Sequence, residues 1–192
     1  MRQLVRAFPY VVAFDAKRML GMDSTGKRRV DWLEFTRVTS WRAYEKLIEK
    51  RPGDSQKIIY VPTPRELRDD KCVNAFFESI YYRRNCVAYI DELTSVVQRT
   101  RIPDFYFDCL VRGRELNIGM WQSSQRPKDI PPSVVDSSER YYIFKLKFPA
   151  DVKRVFELTG LNENLVELPK RQFFYVTEEG ERRGPLTLDF GG

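Results

Sequence analysis

The sequence contains no histidine. That absence removes Ser-His-Asp and Cys-His nucleophilic catalysis and every zinc site built on imidazole. Cysteine is scarce as well. Cys72, Cys86 and Cys109 are odd in number and unpatterned, too few for a four-thiolate zinc site. They suit buried thiols in a reducing compartment, so the expected location is cytoplasmic. No apolar run approaches the roughly 18–20 residues that span a bilayer, and residues 1–6 show no signal-peptide core. Internal repeats, low-complexity tracts and linkers are missing too. Any catalysis must run on carboxylates, Lys or Arg, amides or a bound ion.

What is present is a globular composition. The 192 residues are 42% hydrophobic and 31% charged, the profile of one domain spanning residues 1–192. The net charge of +6 is local: residues 1–51 hold twelve basic and six acidic side chains, and residues 52–192 hold 21 of each. A basic face of this kind suits nucleic acid or a solvated helix surface, and charge alone leaves both open.

Strand-like and helix-like segments alternate. Residues 10–14, 58–61, 86–90 and 117–121 are short, continuous apolar runs, as strands buried on both faces require, and Tyr141 to Phe144 opens a fifth. Between them, Trp41, Tyr44, Leu47 and Ile48 fall at helical spacing behind a Ser40 cap, as do Val73, Phe76, Phe77 and Ile80. Pro103 starts another helix, and Asp151 reads as the cap of a helix stopped by Gly160. Residues 51–54 read as a break, and residues 172–176 and 185–188 as a terminal hairpin. The pattern predicts an α/β fold: a mainly parallel sheet flanked by helices, with a C-terminal β-hairpin extension over 165–192. Ligands on such sheets bind at the carboxyl ends of the strands. Attention therefore falls on Asp15 and Lys17, on Asp91 and Glu92, and on Gln122 to Gln125.

Residues 86–92 deliver two adjacent carboxylates from an apolar strand, the form of the acidic motif of phosphate-loop ATPases. Caps for a following helix would look the same. About 30 residues on, Gly113-Arg114 closes a helix, a buried strand follows, and Ser123-Ser124-Gln125-Arg126-Pro127 ends it. This combination resembles the FtsK–HerA superfamily of DNA-pumping ATPases, whose corresponding strand ends in Thr/Ser-Gln-Arg-Pro. Asp15-Ala16-Lys17 resembles the Asp-x-Lys end of that family's second strand, and the likeness runs from about residue 8 to about residue 188.

The resemblance implies a RecA-like, ASCE-type core, ATP as substrate and Mg²⁺ as cofactor. Asp91 would lie nearest the metal, Glu92 would be the catalytic base, and Gln125, beside Ser124, would sense the γ-phosphate. Arg114 would be an arginine finger offered to a neighbouring subunit; a helix-terminus arginine is the plainer reading. Arg126 would anchor the loop or touch phosphate. The implied partners are double-stranded DNA and a homo-oligomeric ring; if the motor is viral, the location is the host cytoplasm.

Such a motor needs Gly-x-x-x-x-Gly-Lys-Ser/Thr to cradle phosphate. Only Gly21 to Lys27 approaches that spacing, but Arg28 replaces the Ser/Thr, no apolar strand runs into Gly21, and no clear helix follows. Gly26 and Lys27 therefore read as a decoy within a polar loop. Residues 1–8 read as the tail of a truncated helix, with the Walker A loop and the first strand expected upstream of Met1. A shortened gene product, a mis-called start or a partner supplying that segment would each produce this. Two functions follow as expectations: a DNA-translocating or genome-packaging ATPase domain, or a non-catalytic accessory chain that binds DNA or an intact motor.

Overall fold

The computed structural model describes residues 8–50, 55–98 and 100–188. The helix tail expected over residues 1–8, apart from Phe8, and the break at 51–54 lie outside the described residues. Two compact units make up the chain, Met1–Ser124 and Gln125–Gly192.

The first unit is a five-stranded parallel sheet with helices. In chain order its elements are β1 (Tyr10–Asp15), β2 (Thr36–Val38), α1 (Trp41–Lys50), β3 (Gln56–Tyr60), α2 (Pro64–Arg68), α3 (Asp70–Arg83), β4 (Cys86–Asp91), α4 (Asp104–Leu116) and β5 (Ile118–Gln122). The strand order is β2-β3-β1-β4-β5. β1 and β4 lie at the centre because all six residues of β1 and the first five of β4 are buried, which a two-sided sheet demands. One face packs Val11, Ala13, Ile59, Val87 and Tyr89 against Phe35. The other carries an aromatic cluster in which Phe14 meets Tyr60, Phe76 and Phe77 at 4.9–6.5 Å between ring centres. The register pairs Asp15 with Asp91 and Ile90 with Gln122, so three strand ends align along one edge.

Local signals account for the helix boundaries. The Ser40 hydroxyl accepts from the Ala43 N–H, as the cap requires. Thr63 and Glu66 form a reciprocal capping box at α2, with Pro64 in the first turn, and the Glu66 carboxylate also accepts from the Trp41 N–H. α4 ends on Asn117, which turns left-handed at φ 53°, so the residue expected to open the strand is instead the helix cap. Gly113 lets α4 lie close to β5: a Cβ there would meet the Ile118 carbonyl oxygen at 3.0 Å. β2 has no counterpart among the strands expected from sequence. It is three residues long at the edge of the sheet and lacks a continuous apolar run.

The second unit holds α5 (Pro132–Asp136), β6 (Arg140–Phe144), α6 (Pro149–Thr159), β7 (Gln172–Thr177) and β8 (Arg182–Thr187). Its antiparallel sheet has the order β6-β7-β8. The terminal hairpin is β7-β8. The fifth strand-like run, from Tyr141, does not join the parallel sheet but pairs antiparallel with β7, with Ile143 opposite Phe174. Its core is Ile143, Leu146, Val155, Leu165, Phe174 and Val176. Asp151 does not cap α6. Phe148 holds the cap position, and Asp151 sits in the first turn at 1% exposure. There its carboxylate accepts from Arg126 Nε at 3.2 Å and from the Lys128 N–H at 3.1 Å, because a buried charge needs partners. Gly160 ends α6 at φ 63°.

Candidate functional site

The aligned ends of β1 and β4 bring three acids to one edge of the first unit, beside the end of β5, and each is held differently. Asp15 is fully buried. Its carboxylate accepts from the Met19 and Leu20 N–H groups and pairs with Arg37 at 3.1 Å. Arg37 also donates to the Arg18 and Leu20 carbonyls, so this pair ties the following loop to the sheet.

Asp91 is half-buried. Its Oδ1 accepts from the Tyr89 hydroxyl at 3.1 Å and the Ser123 hydroxyl at 3.3 Å. Its Oδ2 has no hydrogen-bond partner among the described residues. Burial raises the Tyr89 phenol above its ordinary value, so it stays protonated as a donor at neutral pH.

Glu92 turns left-handed at φ 71°, a conformation that costs a non-glycine residue about 1–3 kcal/mol. Ser123, the residue after β5, holds it. The Leu93 N–H donates to the Ser123 carbonyl at 2.7 Å, the Ser123 N–H to the Ile90 carbonyl at 3.0 Å, and the Glu92 N–H to the Ser123 hydroxyl at 3.4 Å. The carboxylate makes no capping bond to the short helix that follows. It receives side chains instead: Lys17 Nζ at 2.6 Å on Oε2, and the Thr94 and Ser124 hydroxyls at 2.7 and 3.4 Å on Oε1. The reading of Asp91 and Glu92 as helix caps therefore does not describe Glu92.

Asp91, Glu92 and Ser124 thus share one network with Lys17, Tyr89, Ser123 and Thr94. The sequence marks Lys17 by its place after a buried strand and by the Asp-x-Lys likeness but assigns it no contact, and its pattern makes Tyr89 one more apolar strand residue. Gln122, on β5, has its amide oxygen pinned by the buried Tyr106 hydroxyl at 2.7 Å. Gln125 is exposed and is the first residue of the second unit. Arg114 is exposed in the last turn of α4, at the opposite edge of the sheet. The five residues of β5 separate that edge from the acids by roughly 16 Å at about 3.3 Å per residue. Arg114 therefore does not join this network.

The loop after β1 is filled by its own aspartate. Asp23 Oδ1 accepts from the Thr25 and Lys27 N–H groups at 2.8 and 2.9 Å and from the Thr25 hydroxyl at 2.7 Å. The Thr25 hydroxyl, helped by the Lys27 N–H, holds this carboxyl below its ordinary value. The amides of Thr25 and Lys27 that a phosphate cradle between Gly21 and Lys27 would use are thus occupied. The Arg28 guanidinium donates to the Trp32 and Phe35 carbonyls.

Among the described residues no three His, Cys, Asp or Glu side chains are grouped to hold a metal ion. Mg²⁺ does not need such a cage, since it keeps most of its waters and takes one or two carboxylates plus substrate phosphate. Asp91, with one oxygen oriented and one without a partner, fits that demand. Among the described residues, no helix is long and apolar enough to cross a membrane.

This fold has counterparts among viral genome-packaging NTPases. The genome-packaging NTPase B204 of Sulfolobus turreted icosahedral virus 2, in complex with AMPPCP, matches with a TM-score of 0.70 at 14% identity, covering 97% of this chain and 88% of that one. The same protein with ATP-gammaS matches at 0.65 and 15% identity, over 96% and 86% of the two chains. B204 of Sulfolobus turreted icosahedral virus, described as a DNA-packaging ATPase, matches at 0.57 and 16% identity, over 92% and 97%. At these identities the likeness is one of fold. No protein-family model matches the sequence, and no curated protein does.

Proposed function

We propose that the chain is an NTPase domain of the FtsK–HerA type, acting in DNA translocation or viral genome packaging. The observation that carries this reading is the pairing of β4 with β5, which sets Asp91-Glu92 and Ser123-Ser124 side by side at the carboxyl edge of a parallel sheet. Asp91 would hold Mg²⁺, with Tyr89 and Ser123 orienting its carboxylate. The ion, when bound, neutralises charge on the β- and γ-phosphates. Glu92 takes the proton of the water that attacks the γ-phosphorus as the bond to the β-phosphate breaks. Ser124 orients the Glu92 carboxylate. Gln125 reads the γ-phosphate, and Arg114 serves a neighbouring subunit's nucleotide, which calls for an oligomer, a ring, on double-stranded DNA.

Residues 1–192 hold no complete Gly-x-x-x-x-Gly-Lys-Ser/Thr motif. The Asp23-filled loop and the Lys17-bound Glu92 favour a second reading, in which the chain is a non-catalytic accessory subunit binding DNA or an intact ATPase. Phosphate release by the full chain and by Glu92→Gln, each with and without duplex DNA, separates the two. Turnover lost on substitution by a factor on the order of 10² or more supports the motor. No turnover in either protein, with salt-sensitive duplex binding retained, supports the accessory role.

A further inference from the structure

The antiparallel sheet of the second unit has one face on its core and another lined with aromatic rings. Ile143, Phe174 and Val176 belong to the core, whereas the residues that alternate with them form a separate group. The Tyr142 ring lies 5.9 Å from Phe173 and 5.3 Å from Tyr175, and Phe144 lies 5.3 Å from Phe173. The register sets Tyr142 opposite Tyr175 and Phe144 opposite Phe173, a two-by-two grid across β6 and β7. Tyr142 is 52% exposed and Phe144 41%. The exposed part is thus the Tyr142–Phe144 pair, seated on half-buried Tyr175 and on Phe173 at 9% exposure, and exposed aromatic surface of this kind is where partners dock.

The charge on β6 and its extension narrows the occupant. Residues 140–147 hold Arg140, Lys145 and Lys147 and no acid, and all three cations are exposed. Arg140 follows the same alternation as Tyr142 and Phe144, which places it on the ring face. Rings beside cations are what unstacked bases on a phosphate backbone require, since every base has a π-face. Tyr142 and Phe144, two residues apart on one strand, are spaced by about 7 Å. That is wider than the rise of about 3.4 Å per nucleotide in one strand of a duplex, whose stacked bases cannot reach the rings.

We propose that this face binds single-stranded nucleic acid, with bases on Tyr142 and Phe144 and phosphates on Arg140, Lys145 and Lys147. The proposal is independent of nucleotide hydrolysis in the first unit and is tested without it. Fluorescence anisotropy of the full chain would be read with labelled oligo-dT and oligo-U of about 15 nucleotides and with a duplex of equal length. The expected result is binding of both oligo-dT and oligo-U that depends on the rings, with duplex binding by the full chain unchanged when the rings are removed. Tyr142→Ala with Phe144→Ala should weaken single-strand binding by about 30-fold or more, while Tyr142→Phe leaves it unchanged. Arg140→Ala should shallow the log–log salt dependence by about 0.7. Circular dichroism melting checks that each variant folds. Single-strand binding that survives loss of both rings, ring substitutions that weaken duplex and single-strand binding equally, or rings that drive only self-association in light scattering would overturn the proposal.

Discussion

Replacing Lys17 with methionine keeps the length of the stem and removes the ammonium 2.6 Å from Glu92 Oε2. The two side chains are unequally exposed, 36% for Lys17 and 10% for Glu92. Exposed pairs are worth about 0.2–1 kcal/mol, and stripping the partner from a buried charge costs about 3–5 kcal/mol. With the lysine more than a third in water, the solvent-screened coupling should be about 1 kcal/mol. The single substitutions should differ in cost. Lys17→Met removes the ammonium from a nearly buried carboxylate that keeps the Thr94 and Ser124 hydroxyls, whereas Glu92→Gln leaves an ammonium that can turn to solvent. Lys17→Met should therefore cost more, about 1–2 kcal/mol. Urea denaturation of the parent, both single variants and the double variant closes the cycle, and repetition in 1 M salt should shrink the coupling. Additivity within about 0.3 kcal/mol would refute the claim that Lys17 holds the glutamate.

Other outcomes follow from the same structure. Burial pushes the Cys86 and Cys109 thiols up to about 12, and burial also raises Cys72, which is only half-buried. Thiol titration at pH 8 should therefore label Cys72 slowly and the other two only after denaturant is added; rapid native labelling of all three would contradict the packing. Glu66 is pushed up by burial, but hydrogen bonds from the Thr63 and Trp41 N–H groups outweigh this and leave it below its ordinary value of 4.5. A carboxyl lowered on folding contributes stability above its unfolded value, and that contribution fades as pH falls through the folded one. The stability difference between parent and Glu66→Gln in urea should thus be largest at pH 7 and narrow below pH 4.5; an unchanged difference at pH 3 would count against the capping box.

The central strands were legible because a strand buried on both faces writes itself as an unbroken apolar run, as Val11 to Phe14 and Val87 to Ile90 do. The acids at their ends followed from the same reading. β2 was not legible, since three edge residues carry no period. The partner of Tyr141 to Phe144 was not legible either, because an apolar run does not say which strand it pairs with. Within the site, Lys17 and Glu92 meet only through the tertiary register of β1 with β4, and the role of Tyr89 depends on a hydroxyl that its strand pattern hides. One local signal could have been used: Asp23 followed two residues later by Thr25 is the pattern of an aspartate that bonds its own loop, which explains why Gly26 and Lys27 do not frame an open cradle.

The central claim is that nucleotide meets this chain at the carboxyl ends of β4 and β5. Hydrogen–deuterium exchange of the full chain with and without Mg²⁺ and ATP-gammaS tests it without requiring turnover. The account predicts new protection at residues 91–95 and 122–124, lost in Asp91→Asn. Protection confined to residues 21–28, or none at any nucleotide concentration, would contradict it.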